Sequence, residues 1–197
     1  MKIIFASQNK GKLKEVNKIF QGTSFEIISL ADIGFIEEIE ETGATFEENA
    51  FLKAKYIYSR YKMPTLADDS GLMVDQLNGE PGIFSARFAG ENCTYEDNMR
   101  KLLNILKEYP EPHLARFVCC AVYVDEKYKF LEYGYLEGKI IRTAKGNNGF
   151  GYDPIFQPFE LDSAHTLAEL SLESKNLISH RRKAFEKLKN NLMKLYA

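Results

Sequence analysis

The stretch "LADDSGL", residues 66–72, sets two carboxylates, Asp68 and Asp69, side by side at the end of a short apolar run. Neighbouring like charges at the edge of a core repel one another and lose hydration, so something must compensate them. A capped Asp-Ser-Gly turn, a paired lysine or arginine, and a bound cation are the three candidates. A second acidic group, Glu40 and Glu41, stands just before a helix signal. Hard oxygen donors of this kind suit Mg2+, which keeps several waters and shares its remaining positions with substrate phosphates. Taken alone, the two glutamates are equally well explained as surface charge near a helix start. Zinc has no support, because His113, His165 and His180 lie far apart and lack cysteine partners at ligand spacing.

Three further groups could join such chemistry. The loop Ser7-Gln8-Asn9-Lys10-Gly11-Lys12 lies between a strand and a helix start, where backbone amides and two lysines attract anions, phosphate above all. It lacks the G-x-x-x-x-G-K-[ST] spacing of a P-loop, and an ordinary polar loop is the plain alternative. "GNNGFGYDP", residues 146–154, has glycines that permit close backbone approach, with Phe150 or Tyr152 able to stack on a base. Its spacing is not the dinucleotide G-x-G-x-x-G, and a glycine turn with core aromatics is also open. "SHRRKAF", residues 179–185, follows Lys175 and offers fixed donors to carbonyl or phosphate groups. Basic residues are uncommon in the first turn of a helix, which favours acids. Nucleophilic catalysis has little support: no G-x-S-x-G occurs, and Cys119 and Cys120 sit in apolar company.

The elements that must position these groups are read from periodicity. "KIIFA" predicts a buried strand, Leu13, Val16 and Phe20 a helix, and "FEIISL" (25–30) a second strand, so the chain opens β-α-β. Thr45 with Glu48 forms a capping-box pattern ahead of the stripe Phe46, Ala50, Ala54, Ile57 and Tyr61, and Pro64 closes that helix. A short strand then leads to the Asp pair, and the chain is expected to turn sharply at Ser70 and Gly71. Residues 77–90 are glycine-rich and irregular. Thr94 opens a helix with Met99, Leu102, Leu103 and Leu106 inward, "ARFVCCAVYV" (115–124) is apolar on both faces like a central strand, and residues 128–141 form its antiparallel partner. Two more helices finish the chain. The pattern predicts an α/β protein with a mixed sheet.

Composition narrows the partners. The 197 residues are 45% hydrophobic and 27% charged with a net charge of −2, which suits a folded single domain over 1–197 and gives no reason to expect nucleic acid. No apolar run approaches the ~20 residues of a membrane helix, and "MKIIFASQ" is too weakly apolar for a signal sequence. Cys93, Cys119 and Cys120 show no C-x-x-C. They are expected to be reduced thiols, and the protein cytoplasmic.

Taken in order, "SQNKGKLKEV", "EETGATFEENAFLKA", "ADDSGL", "PGIFSARFAG", "GFGYDPIF" and "AEL" with "ESKNLISHR" closely resemble the inosine triphosphate pyrophosphatase family, across residues 3 to about 186. The resemblance implies an elongated mixed central β-sheet flanked by helices, with two lobes around an active-site cleft, usually as a homodimer. It implies Mg2+-dependent hydrolysis of the purine nucleoside triphosphates ITP, dITP and XTP to monophosphate and pyrophosphate, which cleanses the nucleotide pool. It assigns Ser7, Gln8, Asn9, Lys10, Gly11 and Lys12 to the triphosphate, Glu41 and Asp69 to the metal with Glu40 as the alternative, and Asp69 to the catalytic base. Ser70, Phe150, Gly151, Tyr152, Asp153, Lys175, His180 and Arg181 are the expected substrate contacts. Ser7 replaces the threonine often found in the family and keeps its hydroxyl. Two other readings compete: a related pyrophosphatase acting on modified pyrimidine or canonical triphosphates, and a nucleotide-binding module without turnover.

Overall fold

Ile3, Ile4 and Phe5 are fully buried in β1 (Lys2–Phe5), apolar on both faces as a strand inside a parallel sheet must be. The computed structural model describes residues 1–160 and 164–196. After β1 the chain forms α1 (Lys10–Phe20), β2 (Glu26–Ser29), α2 (Phe46–Tyr61), β3 (Thr65–Val74), α3 (Tyr95–Leu106), β4 (His113–Val124), β5 (Lys129–Ile140), β6 (Phe156–Pro158), α4 (Leu172–Ile178) and α5 (His180–Leu195). Among the described residues six strands pair in the order β2-β1-β3-β4-β5-β6. β1 runs parallel to both β2 and β3, and β6 antiparallel to β5. Residues 125–128, which join β4 to β5, are too few for a parallel crossover; Asp125 closes that turn by accepting from the Lys127 and Tyr128 amides at 2.7 Å each. The expected mixed sheet with flanking helices is therefore present.

Helix starts follow their caps. Thr45 Oγ1 accepts from the Glu48 amide and Glu48 reaches back to the Ala44 amide. Thr94 and Asp97 form a full capping box at α3. No helix among the described residues is long and apolar enough to cross a membrane.

The chain divides into two compact units. The first comprises Met1–Asp69, Cys119–Gly134 and the residues from Arg181 onward. Its core has two clusters, one around Phe5, Phe20, Cys119 and Phe185, the other around Ala50, Ala54, Ile57 and Cys120. Successive strand residues face opposite ways, which is why the vicinal cysteines enter different clusters. Both are free thiols. The second unit comprises Ser70–Val118 and Tyr135–His180, with Leu72, Leu102, Phe117, Leu136 and Phe156 in its core.

Two expectations need correcting. β3 does not end at the Asp pair; it continues through Ser70 and Gly71 to Val74. Gly71 supplies clearance rather than a turn, since a Cβ there would lie 2.2 Å from the Gly82 carbonyl oxygen and 2.5 Å from Ser85 Oγ. Residues 77–90 are not wholly irregular either, because Gly82–Phe84 forms a short 3-10 turn, and β6 is a strand that periodicity did not reveal.

Candidate active site

The two aspartates at the centre of β3 point to opposite faces and have different partners. Asp68 is fully buried. Lys12 Nζ from α1 lies 3.0 Å from its Oδ2 and Arg181 Nε from α5 lies 3.2 Å away. Arg181 Nη1 also pairs with Glu15 at 3.0 Å, and the Cys119 thiol donates weakly to Asp68 at 3.8 Å. Burial pushes the Asp68 carboxyl up, but Lys12, Arg181 and Lys53 outweigh it and hold it well below the ordinary carboxylate range. Lys12 and Arg181 thus favour the anionic form of Asp68, which in turn offsets their charges.

Asp69 faces α2. It is 5% exposed and accepts a 3.0 Å hydrogen bond from Asn49 Nδ2. Lys53, one turn along α2 from Asn49, is buried and hydrogen-bonds Glu41. Burial raises the Asp69 carboxyl above its ordinary range, Glu41 raises it further, and Lys53, Lys12 and the Asn49 bond oppose them without prevailing. The Lys53 amine, penalised by burial, is nevertheless raised by Glu41, Asp68 and Asp69 together. A half-buried carboxylate, a buried ammonium and a carboxylate reluctant to ionise therefore act on one another in one place. Glu40 is exposed, and it is Glu41 that meets this group.

Of the expected anion loop, Lys12 reaches the Asp pair. Asn9 caps α1, its Oδ1 accepting from the Gly11 and Lys12 amides at 2.9 and 3.1 Å, so those two amides are already hydrogen-bonded within the helix start. Gln8 Nε2 donates to the Glu37 carbonyl, Ser7 Oγ accepts from the Asn9 amide, and Lys10 and Gly11 are exposed.

The second unit carries its own polar group. Asp153, 3% exposed, accepts from the Phe150 amide at 2.8 Å and from Lys175 Nζ. That ammonium sits 4.9 Å from the Phe150 ring centroid. Gly149 has φ +80°, and a Cβ on it would fall 2.1 Å from Asp153 Oδ2, so the loop passes the carboxylate as closely as backbone can. Phe150 is 37% exposed, whereas Tyr152 is 4% exposed and its hydroxyl donates to the Ser85 carbonyl. Of the two aromatic candidates, Phe150 presents the accessible ring and Tyr152 is a core anchor. His180 stacks on Phe117 at 5.0 Å with 12° between planes. Gly151 takes φ +63° in open space, and Ser70 is half-buried.

Asn49, Lys53 and Glu15 were missed by sequence reasoning. Asn49 and Lys53 stand four apart amid the apolar stripe of α2, and two polar residues on a buried face are a readable signal. For Glu15, whose partner is 166 positions away, no local signal exists.

The donor set can be tested against a cation. Among the described residues no three His, Cys, Asp or Glu side chains gather into a closed metal cluster. Glu41 and Asp69 instead offer oxygen only, near enough for one charge to perturb the other, which fits a hard cation held by two carboxylates and completed by water and phosphate rather than a caged structural ion.

A mixed sheet carrying an acid–lysine centre on its third strand, with a basic loop at the first βα junction, makes this an α/β protein with its titratable groups gathered on the sheet. The Ham1 family model matches residues 3–191. A dITP/XTP pyrophosphatase of Thermoanaerobacter pseudethanolicus is 49% identical over 195 residues, 98% of each chain. The HAM1 protein of Coxiella burnetii superposes with a TM-score of 0.91 at 38% identity, over 98% of this chain and 99% of that one. The Ham1 protein of Staphylococcus aureus gives 0.88 at 42% identity over 98% of both. The chain belongs to the Ham1 family.

Proposed function

We propose that the protein hydrolyses the non-canonical purine nucleoside triphosphates ITP, dITP and XTP to the monophosphate and pyrophosphate, removing them before they enter DNA or RNA. The observation that carries this reading is the gathering of Asp69, Glu41 and Lys53 in one place, on the strand whose other aspartate holds Lys12. Relatives named dITP/XTP pyrophosphatase, matched over nearly the whole chain, support the substrate class.

On this reading Lys12 and the rest of residues 7–12 bind the triphosphate. Glu41 and Asp69 would hold Mg2+, which when bound neutralises phosphate charge and acidifies water. Asp69 takes the proton of the water that attacks the α-phosphorus, as the bond from that phosphorus to the bridging oxygen breaks and pyrophosphate leaves. A carboxylate serves as a general base where it lies within hydrogen-bond reach of the proton it takes. Lys53 and Lys12 offset the negative charge that develops. Asn49 Nδ2 donates to Asp69 Oδ2 and orients the carboxylate.

Base selection follows from donors. Hypoxanthine and xanthine carry a 6-oxo acceptor where adenine has an amino donor, so a donor-lined pocket penalises ATP. Phe150 offers a stacking face, and Asp153 holds Lys175 beside it. Arg181, His180 and nearby amides are the donors assigned to the 6-oxo group, with Arg181 held in place by its ion pairs with Asp68 and Glu15. On this reading the protein works on free nucleotides in the cytoplasm as a homodimer; the resemblance noted from the sequence supports both, and light scattering tests the second.

Product analysis with ITP and Mg2+ is the test. IMP with pyrophosphate sustains the proposal, and IDP with orthophosphate overturns it. Comparing dITP, XTP, ATP, dGTP and dTTP turnover then separates it from a broader pyrophosphatase.

A further inference from the structure

In the sheet β3 lies between β1 and β4, and beyond Asp69 a loop of the second unit also holds it. The Val74 amide donates to the Glu80 carbonyl at 3.1 Å, Met73 bridges to Pro81, and the Leu72 amide donates to Ser85 Oγ at 2.8 Å. The last of these is the exception: a side-chain hydroxyl, not a backbone carbonyl, receives the Leu72 amide. The same hydroxyl donates to the Gly82 carbonyl at 2.6 Å. The clearance that Gly71 leaves over Gly82 and Ser85 brings the strand close enough for this bond to form. On its other side, the Ser85 carbonyl accepts from Tyr152 at 3.0 Å, next to Asp153, which orders Phe150 and Lys175.

We infer that Ser85 is a positioning residue: its hydroxyl fixes the run of β3 that leaves Asp69, and its carbonyl ties that run to the loop bearing Phe150 and Asp153. This rests on the reading of Asp69 as the base. Leu72 is three residues from Asp69 on one strand, and in a pleated strand side-chain direction follows backbone register. Loosening the amide at Leu72 lets the pleat rotate, and misplacement of a reacting group by about 1 Å costs on the order of a hundredfold in rate.

The experiment measures kcat and KM for ITP, by pyrophosphate release with Mg2+, in wild type, Ser85→Ala and Ser85→Thr. Each is assayed well below its own Tm, with folding checked by circular dichroism. The expected result is a kcat about tenfold or more lower in Ser85→Ala with KM within about twofold, and recovery of most of that loss in Ser85→Thr. Where Ser85→Ala is unfolded at the assay temperature, Ser85→Cys, which fills the space but bonds weakly, takes its place with the same expectation. A folded variant with wild-type kcat overturns the inference, and so does a loss in kcat that Ser85→Thr does not relieve. If the wild type itself releases no pyrophosphate from ITP, the proposed function fails; if it does and Ser85→Ala matches it, the positioning role alone fails.

Discussion

Replacing either aspartate of the β3 pair by asparagine removes one negative charge from adjacent positions, yet the two changes should act on different quantities. Asp68 is fully buried against Lys12 and Arg181. Its carboxyl titrates below the ordinary range in the fold, so the stabilisation it brings is complete above the unfolded value of about 3.9 and is lost as pH falls through the lower folded value. Removing one member of a buried ion pair costs about 3–5 kcal/mol. The low end applies here, because Glu15 still pairs with Arg181 and an amide oxygen still accepts. About 3 kcal/mol corresponds to a Tm lower by roughly 6–12 °C for a chain of this size. Asp69 has the opposite sign. Its carboxyl is raised in the fold, so ionisation opposes folding at neutral pH, and that penalty disappears as pH falls through the raised value. Asp69→Asn should therefore leave Tm unchanged or higher, while a lost base costs about 2 kcal/mol or more of barrier, on the order of thirtyfold in kcat. Thermal melts at pH 7 and pyrophosphate release measure both. A Tm in Asp68→Asn within about 2 °C of wild type, or a fall in Asp69→Asn as large as in Asp68→Asn, would refute the assignment of anchor to one and base to the other.

In the metal-free protein, Glu41→Gln should lower the Asp69 pKa and Lys53→Met should raise it, because Glu41 pushes that carboxyl up and Lys53 pulls it down; carboxyl-carbon NMR titration reads both directions. Gly149→Ala should raise KM for ITP severalfold and also lower Tm, since a methyl at φ +80° meets the buried Asp153 carboxylate; an unchanged KM counts against a substrate role for this loop. Gly71→Ala should cost about 1–3 kcal/mol by overpacking against backbone oxygen, visible as a lower urea midpoint. Arg181→Ala should destabilise comparably to Asp68→Asn, and a melt indistinguishable from wild type would show that its two ion pairs contribute nothing.

Local pattern carried much of the fold. The helix starts at Thr45 and Thr94 and the opening β-α-β are written in short-range chemistry, and so they could be read directly. The length of β3 could not, because Asp-Asp-Ser-Gly reads locally as a turn. Only partners from α1, α2 and α5 make two buried carboxylates compatible with a central strand, and Arg181 lies 113 positions from Asp68. The same holds for the division of labour within the pair. Alternation along a strand guarantees that neighbours face apart, but which face holds Lys12 and which holds Lys53 is decided by tertiary packing. Gly71 is instructive in the same way: a glycine after a serine suggests a bend, whereas the space it leaves is filled by a loop more than ten residues further along the chain. Glu41, by contrast, could be named beforehand only together with Glu40, since nothing in two adjacent glutamates says which one Lys53 will meet.

The vicinal thiols of β4 have a practical consequence. Cys119 and Cys120 open onto different core clusters of the first unit, and Cys93 is half-exposed near the start of α3 in the second. The chain therefore contains three intrinsic probes of local opening, each reporting on a different layer. Pulsed alkylation followed by mass spectrometry would time the breathing of the two faces of one strand separately, without introducing a label.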